Sequence, residues 1–210
     1  MSFRVVTEPI GPVAANCHTL EFGDQVILID PGGDADLLLR LIGTRTLTAM
    51  LVTHGHYDHI GAIGELKERH PGAAVMIHRD ERLFLSDPSL NLSCHFGIDG
   101  RYGHAPERLL DHGDRIMLPD GDTLSVIHTP GHTPGGVCFY GDGVLFSGDT
   151  LFFESIGRCD LPGGDEETLL TSIRERLLTL PDDTRVLSGH MNVTTIGHEK
   201  RHNPFLDGAV

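Results

Sequence analysis

The sequence predicts an α/β (α+β) fold in which two packed sheets carry helices on their outer faces. Short apolar runs of strand length alternate with turns rich in glycine and proline, which number 26 and 12. These runs fall into two groups along the chain, and amphipathic helical segments accompany each group. Because no repeat and no linker interrupts the 210 residues, we expect one domain spanning 1–210.

The first group of apolar runs predicts strands at 3–9, 16–22, 25–30, 47–52 and 74–78. A helix is expected over 35–42, where leucines form an apolar face and Asp34 is a candidate N-cap. A second helix is expected over 58–69, since apolar residues recur there at core spacing. A helical turn at 81–85 leads into 86–113, which shows no period, and we interpret that stretch as a loop covering the functional site.

The second group of apolar runs predicts strands at 115–118, 123–128, 137–140, 144–146 and 185–187. The clearest amphipathic helix covers 166–180, with Asp165 as its expected N-cap and Pro181 just after its end. A short helix is expected over 197–201, near the end of the chain.

The composition argues against several classes of protein. A formal net charge of −14 disfavours a nucleic-acid-binding surface and an anionic membrane as partner. No apolar stretch reaches transmembrane length, and no basic segment precedes an apolar one in the manner of a signal peptide. The cysteines are widely spaced and form no CxxC pair, at positions Cys17, Cys94, Cys138 and Cys159. We therefore expect reduced thiols and a cytoplasmic location.

One stretch combines metal-ligating side chains at high density. His54, His56, Asp58 and His59 directly follow the apolar run 50–52. Neutral imidazole and carboxylate are ligands of borderline divalent metals. His54 and His56 alternate on an extended segment and can face one ion, whereas Asp58 and His59 follow the turn and can face another.

Three later strands end in turns with a similar composition. His132, Asp149 and His190 each follow an apolar run and lie next to a glycine, which permits a sharp turn near a compact centre. A carboxylate that bridges two cations roughly 3.5–4 Å apart is usual in two-metal hydrolases. A closed structural zinc site is the alternative, but such sites are rich in thiolates and these loops contain no cysteine.

The order of these motifs resembles that of the metallo-β-lactamase fold superfamily, and more closely its hydroxyacylglutathione hydrolase (glyoxalase II) branch. Segments 155–158 (SIGR), 160–165 (DLPGGD) and 194–205 are similar to those of short single-domain bacterial members of this branch. The resemblance implies a four-layer αββα sandwich of the metallo-β-lactamase type. It also implies a centre with two divalent metal ions, zinc by default, although the same ligands accept iron or manganese.

The resemblance distributes the ligands between the two ions. The first ion would be held by His54, His56 and His132, the second by Asp58, His59 and His190, and both by Asp149. Asp58 would in addition orient the bridging hydroxide that attacks the substrate. Metal binding lowers the pKa of water enough to form such a hydroxide at neutral pH.

The branch hydrolyses S-2-hydroxyacylglutathione thioesters such as S-D-lactoylglutathione, so the resemblance implies a small-molecule glutathione conjugate as substrate. Arg158 matches a basic residue that contacts glutathione in the branch; the alternative is a surface arginine paired with Asp160 or Asp165. Asn192 stands where the longer enzymes have a glutathione-binding tyrosine, within a segment 191–193 where close relatives have Gly-Pro. Asn192 is therefore a second candidate for substrate binding.

Other functions stay open. A persulfide dioxygenase resembles this motif set but uses a single iron, held by the equivalents of His54, His132 and Asp149. A β-lactamase-like hydrolase of another substrate would share the fold, although β-lactamases lack a carboxylate at the position of Asp149 and carry a secretion signal. A nuclease would need a basic face, and a non-catalytic binding protein would be expected to have lost ligands. The sequence does not fix the oligomeric state.

Overall fold

The computed structural model describes residues 3–100, 102 and 105–206. The chain forms two compact units, one up to Leu110 and one from Asp111 onwards, each built on a six-stranded sheet with accompanying helices. The predicted mixed α/β class with two sheets is therefore confirmed. The assignment of 1–210 to a single domain stays a prediction.

The first unit contains a mixed sheet whose strands follow one another in chain order. They are β1 (Arg4–Ile10), β2 (Ala15–Phe22), β3 (Gln25–Ile29), β4 (Thr46–Leu51), β5 (Ala74–His78) and β6 (Arg108–Leu110). β1, β2 and β3 pair antiparallel, whereas β3, β4, β5 and β6 pair in parallel. Because neighbouring parallel strands end at the same edge, the residues that follow β3 and β4 lie close together.

The helices of the first unit bury apolar side chains against this sheet. They are α1 (Ala35–Ile42), α2 (Tyr57–Ile60) and α3 (Ile63–Arg69). Leu38 of α1 and Leu66 of α3 belong to one buried cluster with Leu28 of β3 and Met50 of β4. Complete burial of such a side chain contributes roughly 1.5–3 kcal/mol, so this cluster holds the strand ends in place.

The predicted helix 58–69 is in fact two helices, α2 and α3. The N–H of Ala62 donates to Pro31 O at 2.9 Å instead of continuing the helical ladder. A Cβ atom added at Gly32 would lie 1.4 Å from Asp58 O, so the chain after β3 packs directly on the Asp58 carbonyl. In a continuous helix that carbonyl would accept from the N–H of Ala62. Tertiary packing therefore interrupts a helix that the local pattern favours.

Asp34 lies at the N-cap position of α1, as predicted, but its side chain does not cap the helix. Asp34 has a left-handed backbone with φ of 48° and makes no side-chain cap hydrogen bond. Its carboxylate instead accepts from the backbone N–H of Gly11 at 2.8 Å, which joins the turn after β1 to the start of α1.

Residues 86–113 are more ordered than the predicted loop. They include a 3₁₀ helix (Ser93–Phe96) and β6, and the buried amide of Asn91 donates to Phe84 O and Gly100 O at 2.7 and 2.8 Å. Positions 101, 103 and 104 lie outside the described residues. The interpretation of 86–113 as a cover for the functional site stays a prediction.

The second unit has a sheet in the order β14-β13-β10-β9-β8-β7. Its strands are β7 (Arg115–Met117), β8 (Thr123–His128), β9 (Val137–Gly141), β10 (Val144–Gly148), β13 (Arg185–Ser188) and β14 (Thr194–Thr195). A two-stranded sheet joins β11 (Leu151–Phe152) to β12 (Ser155–Ile156). Since β10 pairs in parallel with β13, and β9 is antiparallel to both β8 and β10, the ends of β8, β10 and β13 meet at one edge.

The predicted helix 166–180 begins as expected and then changes geometry. Asp165 accepts from the N–H of Thr168 at 2.7 Å, which confirms the predicted N-cap of α4 (Glu166–Ser172). The chain continues as a π-helical turn (Ile173–Leu177), and α5 (Ile196–His202) follows near the end. Leu169, Ile173 and Leu177 belong to the buried core of this unit, as the amphipathic pattern predicts. Among the described helices, none combines the length and apolar character of a membrane span.

Candidate metal centre

Four of the predicted ligands lie on the segment that follows β4. The side chains of His54, His56 and His59 are almost completely buried. The ring centroid of His54 lies 4.7 Å from that of His56 and 4.1 Å from that of His59. The fourth ligand, Asp58, places Oδ2 3.7 Å from His59 Nε2. The first unit thus brings its four predicted ligands together.

The hydrogen bond of His59 fixes which ring nitrogen is available to a metal. His59 Nδ1 lies 3.0 Å from Oδ2 of the buried Asp30. A carboxylate can only accept, so Nδ1 carries the proton and Nε2 keeps its lone pair. That lone pair lies on the side of Asp58, which is the orientation that a shared metal ion requires.

His54 has its tautomer set through the same aspartate. Thr53 Oγ1 lies 2.6 Å from Asp30 Oδ2 and must donate its single proton there. The hydroxyl can therefore only accept from His54 Nδ1, which lies 3.2 Å away. His54 Nε2 is left as a metal-binding nitrogen. Asp30 also accepts from the Thr53 N–H at 2.7 Å, so it organises the whole start of the ligand segment.

Sequence reasoning missed Asp30, although one signal points to it. The residue directly follows β3, the parallel neighbour of β4, and it precedes a Pro-Gly pair. Its backbone is left-handed, with φ of 55°. Aspartate tolerates that conformation better than most residues, and a left-handed non-glycine residue is often found at a functional site.

Glu81 is a second buried carboxylate that sequence reasoning missed. Its Oε2 accepts from the backbone N–H of Gly55 at 2.8 Å, and its side chain is fully buried. A Cβ atom at Gly55 would lie 2.2 Å from Phe84 Cβ, so only glycine fits between the two neighbouring histidines. The 3₁₀ helix Arg79–Leu85 therefore holds the ligand segment at Gly55, whereas Asp30 holds it at Thr53.

Two tyrosines near Asp58 have raised pKa values. Burial, reinforced by the negative charge of Asp58, raises the pKa of Tyr102 to about 12. The same two causes raise the pKa of Tyr57. Both phenols therefore stay protonated at neutral pH and can act as hydrogen-bond donors.

The other three predicted ligands meet at the strand edge of the second unit. His132 Nε2 lies 3.7 Å from Asp149 Oδ2, and His190 Nε2 lies 3.6 Å from the same oxygen. His132 Nδ1 donates to Arg158 O at 2.7 Å, because a carbonyl can only accept. The lone pair of His132 Nε2 is therefore directed towards Asp149. One carboxylate oxygen thus lies close to two imidazole nitrogens, and the bridging role of Asp149 stays a prediction.

Gly157 allows the backbone to pass directly behind these ligands. A Cβ atom at this position would lie 1.8 Å from Asp149 O and 3.3 Å from His132 Cγ. Any other residue would have to displace the backbone that carries Asp149. The predicted motif 155–158 thus has a structural role beside the ligands, apart from any contact with substrate.

The segment after His190 is exposed. Met191 has a left-handed backbone with φ of 67°, a conformation in which glycine is ordinary, and its side chain is 63% exposed. Asn192 and Val193 are exposed as well. Asn192 is accessible to a substrate, and its role as a binding residue stays a prediction.

Arg158 forms an ion pair with Asp160. This is one of the two partners expected if Arg158 is a surface arginine. The Nε–Oδ1 and Nη2–Oδ2 distances are both 2.9 Å. The neighbouring thiol is a poor nucleophile, because burial and the acidic residues around it raise the pKa of Cys159 to about 11. Contact between Arg158 and a substrate stays a prediction.

The donor set fits borderline divalent ions. Within each unit it consists of imidazole nitrogens and carboxylate oxygens, and the fixed tautomers leave Nε2 available on His54, His59 and His132. Such mixed nitrogen and oxygen donors suit zinc, iron or manganese. Hydrogen-bond acceptors on Nδ1 are typical of histidines that bind metals. The residues present therefore match the predicted divalent metal ions, whose identity they do not select.

Comparison with known proteins agrees with this chemistry. A family model described as the Metallo-beta-lactamase superfamily matches residues 10–190. The chain is 43% identical to the probable metallo-hydrolase YqgX of Bacillus subtilis, over 95% of this chain and 96% of that protein. It is 40% identical to the hydroxyacylglutathione hydrolase GloC of Haemophilus influenzae, with the same two coverages of 95% and 96%.

Solved structures match the fold. BLEG-1, described as a B3 metallo-beta-lactamase, superposes with a TM-score of 0.92 at 42% identity, covering 98% of this chain and all of that one (100%). TTHA1623 in a di-iron-bound form superposes with a TM-score of 0.85 at 39% identity, covering 97% and 100%. These likenesses confirm the predicted fold type, and together with the donor set they indicate a metal-dependent hydrolase. The chain belongs to the metallo-beta-lactamase superfamily.

Proposed function

We propose that this protein is a dinuclear metal-dependent hydrolase that cleaves thioesters, with S-2-hydroxyacylglutathione, such as S-D-lactoylglutathione, as its substrate. The products would be the hydroxy acid and glutathione. The observation that carries the proposal is Asp149 Oδ2, which faces the Nε2 atoms of His132 and His190 at 3.7 and 3.6 Å. The 40% identity to the hydroxyacylglutathione hydrolase GloC supports this choice of substrate.

The ligand assignment follows the order of the motifs. We assign His54, His56 and His132 to one ion, Asp58, His59 and His190 to the other, and Asp149 to both. When bound, divalent ions would polarise the thioester carbonyl and make a water molecule nucleophilic at neutral pH. Zinc is the proposed metal; iron and manganese suit the same donors, and TTHA1623 has a di-iron-bound form.

Three side chains have proposed roles in orienting the attacking water or in binding the substrate. Asp58 would accept a hydrogen bond from the attacking water and so orient it towards the carbonyl carbon. Arg158 would bind a carboxylate of the glutathione portion. Asn192, exposed beside His190, would contact the substrate through its side-chain amide.

The proposed setting is the cytoplasm, with a small molecule as the only partner in catalysis. The formal net charge of −14 disfavours attraction to nucleic acid or to an anionic membrane surface. The widely spaced cysteines form no disulfide, in accord with a reducing compartment.

Hydrolysis of a β-lactam is a second candidate, favoured by one observation. The B3 metallo-beta-lactamase BLEG-1 is 42% identical to this chain over nearly its whole length. Both reactions require attack on an acyl carbon next to a leaving heteroatom, so the same ligands would serve either substrate.

A substrate panel separates these functions. Purified protein loaded with zinc, and separately with iron, would be assayed for thiol release from S-D-lactoylglutathione, for nitrocefin hydrolysis, and for oxygen uptake with glutathione persulfide. We expect thiol release to exceed nitrocefin hydrolysis by orders of magnitude in kcat/KM. Faster nitrocefin hydrolysis would replace the thioesterase proposal with the lactamase, and oxygen uptake by an enzyme with one iron would replace it with the persulfide dioxygenase.

A further inference from the structure

We propose that Asp160 is a specificity-determining residue that competes with the substrate carboxylate for Arg158. Asp160 would thereby lower the affinity for thioesters with a carboxylate-bearing thiol relative to those with an uncharged thiol. This inference rests on the proposed thioesterase function, in which Arg158 binds a carboxylate of the thiol portion.

Asp160 occupies the side of the Arg158 guanidinium that a carboxylate prefers. Asp160 accepts from Nε and Nη2 of Arg158 through two parallel bonds of 2.9 Å each. Such a bidentate arrangement is the usual way in which arginine recognises a carboxylate. A substrate carboxylate must therefore displace Asp160 or use the remaining end-on face of the guanidinium.

The exposure of the pair makes displacement possible. The side chains of Arg158 and Asp160 are each 69% exposed, so water and salt screen their attraction. An exposed pair of this kind changes an equilibrium by up to about fivefold. Asp160 would therefore compete with the substrate for Arg158 without blocking it.

The pair lines a groove of about 480 Å³ in the second unit. Its lining includes Gly157, Arg158, Asp160 and Glu166. Among the described residues that line the groove, Arg158 is the only cation, and Asp160 and Glu166 are the acidic residues. The lining therefore carries a net negative charge. Replacing Asp160 with a neutral residue would leave one positive side chain, Arg158, and one negative side chain, Glu166.

The groove lies next to the predicted ligands of the same unit. The carbonyl of Arg158 accepts from His132 Nδ1 at 2.7 Å, and Gly157 packs against the backbone of Asp149. A thiol portion held in the groove would thus place its thioester close to these ligands. Asp160 contacts the Arg158 side chain, whereas His132 contacts the Arg158 carbonyl, so replacing Asp160 removes none of the hydrogen bonds described for His132.

Asp160→Asn tests the competition, since the amide keeps the shape of the side chain and removes its charge. We expect the KM for S-D-lactoylglutathione to fall roughly twofold to fivefold with little change in kcat. The Kd of glutathione, measured by isothermal titration calorimetry, should fall by a similar factor. S-Lactoyl-N-acetylcysteamine has no carboxylate on its thiol portion, and its KM should not respond.

Two control variants make the result specific. Asp183→Asn removes the same charge from another exposed position of the unit and should leave both KM values unchanged. In an Arg158→Ala background, Asp160→Asn should no longer improve the affinity for glutathione. That loss of effect would show that the two residues act through each other.

The inference is overturned if Asp160→Asn leaves the glutathione Kd unchanged or raises it, or if Asp183→Asn lowers it equally. It is also overturned if the gain persists without Arg158. Failure of the wild-type protein to hydrolyse either thioester would contradict the proposed function instead. In that case the glutathione Kd of the variants still decides the role of Asp160.

Discussion

Asp30 and His59 form a buried hydrogen bond of 3.0 Å between Oδ2 and Nδ1. The bond holds the imidazole so that Nε2 lies 3.7 Å from Asp58 Oδ2. In the second unit the carbonyl of Arg158 has the same function for His132. A carboxylate acceptor makes the metal-binding nitrogen more basic than a carbonyl does, because it stabilises positive charge on the ring. His59 should therefore be the stronger donor of the two.

Asp30→Asn should weaken metal binding without removing a ligand. The neutral amide cannot accept from Thr53 and His59 as well as a carboxylate does, so the tautomer of His59 is less firmly fixed. We expect the metal affinity, measured by competition with a chromogenic chelator, to fall about 10- to 100-fold. Asp34→Asn is the control, since that exposed carboxylate accepts only a backbone bond from Gly11 among the hydrogen bonds described. Equal affinity in Asp30→Asn and wild type would refute the orienting role.

Gly157→Ala should perturb the second unit through the backbone of Asp149. The added Cβ atom would lie 1.8 Å from Asp149 O, so one of the two segments has to move. Overpacking of this kind costs typically about 1–3 kcal/mol of unfolding free energy. We expect a lower Tm and reduced metal content, measured by thermal denaturation and metal analysis. Gly72→Ala, where nothing lies within 4 Å of the new Cβ atom, should change neither quantity. A Gly157→Ala protein with normal stability and metal content would contradict the packing argument.

Arg158→Ala should raise the KM for S-D-lactoylglutathione more than it lowers kcat. The guanidinium is expected to contact a part of the substrate that does not react, so ground state and transition state lose the same interaction. A several-fold rise, roughly up to tenfold, is consistent with an exposed charged contact. Arg174→Ala removes a similar charge from another exposed position and serves as the control. If both variants keep the wild-type KM, Arg158 is a surface arginine paired only with Asp160.

The sequence was sufficient to single out the candidate metal ligands because each of them stands in a local pattern. His54 to His59 form one dense cluster, and the later ligands each follow an apolar strand and a glycine. The strands themselves were predicted for the same reason, since burial in a sheet produces apolar runs of the right length.

The supporting carboxylates could not be predicted from local patterns. Asp30 contacts His59 only because β3 and β4 pair in parallel, and Glu81 contacts Gly55 only because of the way the intervening chain folds. The break between α2 and α3 has a similar origin, because the chain at Gly32 packs on Asp58. Each of these features depends on contacts between residues distant in sequence.

The short strands β11, β12 and β14 were also missed. Two-residue strands leave no periodic signal, and tertiary hydrogen bonds hold β11 and β12 instead. The buried carboxylate of Glu199 accepts from Glu154 N at 2.9 Å and from Asn203 Nδ2 at 2.8 Å. The Asn203 amide in turn donates to Ser155 O at 3.0 Å, which ties this hairpin to the residues at and after α5.

Asp149 is the residue that we propose to join two metal ions in a hydrolase. The most direct test is to determine metal content and S-D-lactoylglutathione turnover on the same samples of wild type and Asp149→Ala. We expect about two ions per wild-type chain with rapid thiol release, and loss of most metal and activity in the variant, because Asp149 alone would touch both ions. Near-normal metal content and turnover in Asp149→Ala would rule out the bridging role of Asp149.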